Sequence, residues 1–161
     1  MNKLHVNRLA LPALALCALA VASAADAASQ RTFVASYGSD ASAACSLALP
    51  CRAFAAAIAQ TNPGGEVIVL DSAGYGPVTI TKAVSIVAPA GVYAGVSVAT
   101  GDGIVVNAGA ADVVKLRGLR LNGTGGANGT VATADSGRDI GDDEVDGFAG
   151  RGLDFAAPGE Q

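Results

Sequence analysis

Three basic side chains, Lys115, Arg117 and Arg120, fall within the nine residues VVKLRGLRL that end at Leu121. In an extended segment, alternation places Val114 and Leu116, then Leu119 and Leu121, on one face, and parity flips across Gly118. The three cations then stand outward as a small ridge, suited either to solvation or to an anionic partner. Other reactive groups are sparse. The only histidine is His5, inside an N-terminal leader, so the remaining chain has no imidazole for a Ser-His triad or a His-ligated metal.

The acidic segment near the C-terminus invites a calcium test. Asp142, Glu144, Asp146 and Gly147 match positions 1, 3, 5 and 6 of an EF-hand loop, but position 12 is Leu153 rather than Glu. Residues 150–154, GRGLD, match part of a calcium-binding nonapeptide once, where adjacent copies are needed to share the ion. No metal site and no cofactor is assigned. Asp71, Asp102 and Asp112 lie beside turns, where aspartate serves its own backbone, and none is assigned a catalytic role. Asn122 and Asn128 each begin Asn-Gly-Thr, read as turn chemistry rather than glycosylation. Tyr37, Tyr75 and Tyr93 could stack on sugars, but isolated tyrosines more often pack or mark corners.

The first residues have the layout of a secretory signal: Lys3 and Arg8, then the apolar run from Leu9 to Ala22, then small residues ending at Ala27. The run is short for a membrane span. Cleavage after Ala27 leaves 134 of the 161 residues, with 8 basic side chains (10 less Lys3 and Arg8) and 13 acidic (14 less Asp26). With acidic residues outnumbering basic ones, no basic excess points to nucleic acid, and none is expected as a partner. Cys45 and Cys51 remain. In an exported chain this isolated pair is expected to be a disulfide, whose small loop contributes about 2 kcal/mol by chain entropy. A redox pair or metal ligands lack the C-x-x-C spacing and a second ligand pair.

The elements that must carry these groups change character along the chain. Pro50 to Thr61 (PCRAFAAAIAQT) reads as a short helix, with Leu47, Cys51, Phe54 and Ile58 forming one apolar stripe. Asn62-Pro63-Gly64-Gly65 stops it. Glu66 to Asp71 (EVIVLD) is apolar on consecutive residues, as in a strand covered on both faces. Short β-branched runs broken by glycine follow. Gly76, Gly103, Gly129 and Gly152 recur at intervals of 27, 26 and 23 residues, the irregular period of a solenoid with variable turns.

Lys82 gives the sharpest local argument. In VTITKAVSIV (78–87) a single strand would bury its ammonium beside Val78, Ile80, Val84 and Ile86, at a cost of several kcal/mol. A corner at Lys82-Ala83 removes the conflict and lets the ammonium reach solvent. The pair also lacks hairpin turn chemistry.

In its leader, its Cys pair beside an alanine-rich helix, GGEVIVL and GYGPVTITKAVSI, the chain resembles secreted right-handed parallel β-helix proteins of the pectate-lyase-like superfamily. The resemblance covers about Arg31 to Gly129 and returns at Val145 to Ala157. It implies a mainly β chain: a right-handed parallel β-helix whose open N-terminal end is capped by the short helix, incomplete at the C-terminus. The expected organisation is a signal peptide (1–27), an N-terminal cap with disulfide and helix (28–65), β-helix circuits (66–129) and a degenerate acidic circuit or tail (130–161). Aligning Asp146-Gly147 with Asn122-Gly123 puts Asp143 at an inward position, hence "degenerate".

Lyases of that superfamily use arginine or lysine with calcium-bound carboxylates to remove a proton beside a uronate. No carboxylate cluster accompanies the Lys115–Arg117–Arg120 ridge in nearby runs. The expectation is therefore a secreted or periplasmic, non-catalytic module, structural or in contact with acidic polysaccharide, and part of a longer β-helix protein. The alternatives are the N-terminal part of a polysaccharide lyase or glycoside hydrolase, and an adhesin or spike segment that self-associates through its open C-terminal coil end. After signal cleavage no membrane contact is expected.

Overall fold

The computed structural model describes residues 28–125, 128–132, 137–141, 144–146 and 153–155. Among the described residues, thirteen strands and one helix follow one another. Strand β1 (Ser29–Val34) precedes helix α1 (Phe54–Gln60). Then come β2 (Thr61–Val69), β3 (Ala73–Gly74), β4 (Val78–Ile80), β5 (Val84–Val87), β6 (Ala94–Val98) and β7 (Ile104–Val106). The last six are β8 (Val113–Arg117), β9 (Leu119–Gly123), β10 (Thr130–Ala132), β11 (Gly137–Gly141), β12 (Glu144–Asp146) and β13 (Leu153–Phe155).

All pairings between these strands are parallel, and they build three sheets in the orders β1-β2-β5-β8-β11, β3-β6-β9-β12 and β4-β7-β10-β13. From β2 onward the chain visits the three sheets in turn, so every third strand stacks on its predecessor. The fold is mainly β, with parallel sheets and one short helix. In the third sheet Val78, Ile104, Thr130 and Leu153 stand in one column, a repeat of 26, 26 and 23 residues. That matches the period carried by the glycines. Gly103 and Gly129 stack directly: a Cβ on Gly103 would meet the Gly129 carbonyl oxygen at 2.5 Å. Gly76 stands one place out of that column, since Val78 aligns with Ile104.

The interior is built by alternation. Val67, Val69, Val84, Ile86, Val114 and Leu116 face inward from the first sheet, Val96, Leu119 and Leu121 from the second, Val78, Ile80, Ile104 and Val106 from the third, all buried. Each such side chain contributes roughly 1.5–3 kcal/mol by leaving water. The parity flip expected at Gly118 is present, with Val114, Leu116, Leu119 and Leu121 all inside.

Helix α1 starts later than the sequence suggests. Cys51 is extended because its backbone pairs with β1: its N–H donates to the Phe33 carbonyl (2.9 Å) and its carbonyl accepts from Ala35 N–H (2.9 Å). The helix therefore begins at Phe54 and buries Phe54, Ala57 and Ile58 against β1, β2 and β4. Leu47 leaves the expected stripe and is exposed, because it sits in the loop closed by the Cys45–Cys51 disulfide. Ala53 offers no capping side chain; the entry to the helix is fixed instead by Asp40, whose Oδ1 accepts from Arg52 N–H (2.7 Å) and Ala53 N–H (2.9 Å) just ahead of its first residue. Residues 62–65, expected to separate helix and strand, form a bulge: Ser29 pairs with Thr61, but Arg31 with Glu66.

The corner at Lys82 is real, for β4 ends at Ile80 and β5 begins at Val84. The ammonium does not simply enter solvent. Lys82 is half-buried and its Nζ donates to the carbonyl of Thr61 (2.6 Å), the residue that terminates α1. A cation at a helix C-terminus offsets the unpaired carbonyls gathered there. No helix among the described residues is long and apolar enough to cross a membrane.

Two outcomes follow from this packing. Phe54→Ala removes a fully buried ring that packs 5.1 Å from Tyr75 and is expected to cost about 3 kcal/mol in chemical denaturation; an unchanged midpoint would mean that the helix is not docked. Lys82→Ala should cost about 1 kcal/mol through the lost charged hydrogen bond, whereas Ile80→Lys should cost several by placing a charge in the core. Equal effects of the two would contradict the corner.

Candidate functional site at a one-residue corner

Only Gly118 separates β8 from β9, at φ +73°. In the circuit before it, the corresponding connection from β5 to β6 takes six residues, 88–93. A long loop stacked on a short corner leaves a hollow. It measures about 480 Å³ and is bordered by Pro89, Gly91 and Val92 on the loop and by Arg117, Gly118 and Arg120 on the corner. The two circuits touch closely beneath it. Ala88 N–H donates to the Arg117 carbonyl (2.9 Å), and a Cβ at position 118 would lie 2.7 Å from the Ala88 carbonyl oxygen.

Of the three ridge cations, the structure brings Arg117 and Arg120 to this groove, one from each wall of the corner. Lys115 is exposed on β8 but stands apart, in register with Ser85. Parallel pairing adds what the linear sequence hid. Asp139 stands opposite Lys115, Gly141 opposite Arg117, Glu144 opposite Arg120 and Asp146 opposite Asn122. Carboxylate-bearing residues thus do accompany the ridge on the adjoining circuit, 24 residues away in sequence. The other parts of the calcium matches, Asp142, Gly147 and residues 150–152, lie outside the described residues, as does Asp143. Among the described residues no group of three or more His, Cys, Asp or Glu side chains could hold a metal.

The remaining candidates separate cleanly. Asp112 accepts from Gly109 N–H (2.9 Å) in its own turn, as expected. Asp102 instead accepts from Asn128 Nδ2 (2.9 Å) on the next circuit, which commits the Asn128 amide to a structural bond. Asp71 ties down the N-terminal region rather than its own turn. Its carboxylate accepts from Ser36 N–H (2.8 Å), from the Ser36 hydroxyl and from the Tyr75 hydroxyl (2.5 Å). The Ser36 and Tyr75 bonds hold the Asp71 carboxyl below the usual carboxylate range, while burial and the Asp71 carboxylate push the Tyr75 phenol up. Tyr75 is a core residue, with Arg52 5.7 Å from its ring centroid. Tyr37 and Tyr93 are exposed.

A second hollow, about 530 Å³, lies along the disulfide loop beside Tyr37, Ser42, Leu49 and Pro50. Cys45 and Cys51 are fully buried and bonded, as the sequence implied. Asp40 is committed to the Arg52 and Ala53 amides ahead of the helix, and the Ser42 hydroxyl donates to the Leu49 carbonyl (2.8 Å). This hollow presents mostly apolar surface, and its lining carries hydroxyls but no carboxylate, imidazole or basic side chain. The corner groove is the better site. No family model, curated protein or solved structure matches the chain.

Asp71 yields a pH test. Because its folded-state pKa is depressed, its contribution is present above the ordinary carboxylate range and lost as pH falls through its lowered value. Asp71→Asn should lower the melting temperature at neutral pH, and the gap should narrow below about pH 4. A gap constant from pH 7 to pH 3 would exclude this role.

Proposed function

We propose that the chain is an exported, non-catalytic module that binds acidic polysaccharide at the corner groove, its body a right-handed parallel β-helix of the pectate-lyase-like kind. The observation that carries the binding reading is the pair Arg117 and Arg120, straddling one glycine beneath an apolar loop. Guanidinium groups present planar forks that match carboxylates bidentately, which suits them to uronate units. The cyclic order of the three parallel sheets supports the helical reading. Its right hand rests on the rule that parallel crossovers in one sheet take that hand in about 98% of cases. Export rests on the leader and on a disulfide, which persists in oxidising compartments such as the periplasm or the extracellular space.

One observation favours a second reading, the N-terminal part of a polysaccharide lyase. Lys115 stands opposite Asp139 and Arg120 opposite Glu144, so basic and acidic residues stand in register on adjoining circuits.

Calorimetric titration with polygalacturonate at low salt distinguishes the readings. Binding should be measurable, weaken as ionic strength rises, and fall about tenfold or more in the Arg117→Ala, Arg120→Ala double variant, the loss of roughly 1.4 kcal/mol. No binding by the wild type, or no effect of the double substitution, would end the first reading. Unsaturated uronate absorbance should not develop; its appearance, abolished by Arg117→Ala, would establish the second.

A further inference from the structure

We infer that Tyr93 is the aromatic stacking platform of this site and selects ring-shaped uronates over open-chain polyanions. The inference rests on the acidic-glycan reading of the groove and adds to it a residue that the groove's own walls do not include. Tyr93 closes the loop 88–93 and is 49% exposed, whereas Tyr75 is buried at 1%. Its ring lies across Gly95 on the outer side of β6. A Cβ at position 95 would fall 2.6 Å from Tyr93 Cε1 and 3.1 Å from its Cζ and hydroxyl oxygen, so any other residue there would push the ring away.

The backbone under the ring is pinned by two bonds to the preceding circuit. Tyr93 N–H donates to the Ser72 hydroxyl (2.9 Å), and its carbonyl accepts from Ala73 N–H (2.9 Å). A pre-positioned aromatic loses little freedom when a ligand settles on it. Gly95 pairs in register with Gly74 on one side and Arg120 on the other. The strip beneath the ring is therefore free of side chains on two successive rungs, and the next rung carries the guanidinium that borders the groove. Neighbouring rungs are about 4.8 Å apart. One pyranose can thus lay its C–H face on the ring while a carboxylate meets Arg120.

This arrangement separates shape from charge. An open-chain polycarboxylate gains from Arg117 and Arg120 but has no ring face to stack. The test compares polygalacturonate with poly-glutamate, matched in carboxylate concentration, by calorimetry on the mature protein. The wild type should prefer polygalacturonate. Tyr93→Ala should weaken polygalacturonate about fivefold, in line with one aromatic contact, and leave poly-glutamate unchanged. Gly95→Ala should do the same by displacing the ring, while Tyr93→Phe retains wild-type preference. Arg120→Ala should weaken both polymers. If the polymers bind alike and Tyr93→Ala changes neither, with unaltered circular dichroism, the platform is refuted while the charged groove stands. If the wild type binds neither polymer, both readings fall.

Discussion

A stack of parallel strands has a first strand with one row of backbone groups unpaired, and everything above depends on how that row is satisfied. Here the edge belongs to β1, and the disulfide loop covers it. The Cys45 carbonyl accepts from Phe33 N–H, Cys51 N–H donates to the Phe33 carbonyl, and the Cys51 carbonyl accepts from Ala35 N–H. The bridged cysteines are themselves the edge partners, so the covalent bond holds their backbones where the strand needs them. From there the tie spreads. Asp40, just ahead of the loop, holds the Arg52 and Ala53 amides that lead into the helix, Asp71 grips Ser36 just past β1, and Lys82 reaches back from its corner to the end of α1.

What alternation encodes, the sequence disclosed. The inward set Val78, Ile80, Val84 and Ile86, the break at Lys82, the flip at Gly118 and the repeat in the twenties each follow from short-range pattern, and each is present. Features that depend on partners distant in sequence were not legible. Ser29–Val34 gives only two inward residues, Thr32 and Val34, too brief a rhythm to announce a strand. Cys51 looked helical because its extended backbone is dictated by β1, not by its neighbours. Lys82 was placed at its corner, but the Thr61 carbonyl it bonds lies 21 residues away.

The site was half legible for the same reason. Outward cations could be read from VVKLRGLRL, and Arg117 and Arg120 do share a groove. The loop that walls it, the acidic residues opposite Lys115 and Arg120, and the ring on Gly95 come from stacking of circuits. A Tyr-x-Gly spacing was the only trace of the last, and in a strand two residues apart means the same face. Glycine two places beyond an exposed aromatic is a usable sign of a ring folded onto a sheet.

The six-residue connection over the one-residue corner has a consequence for how such a surface changes over time. The stack is held by hydrogen bonds along its three walls, whereas the loop 88–93 is tied to its neighbours at its two ends, by Ala88 N–H donating to the Arg117 carbonyl and by the bonds of Tyr93 to Ser72 and Ala73. Residues can be gained or lost between Pro89 and Val92 without altering which strand lies on which. Loop shape and scaffold stability are then inherited separately. A lineage can reshape a single corner while leaving the stacked strands beneath it untouched.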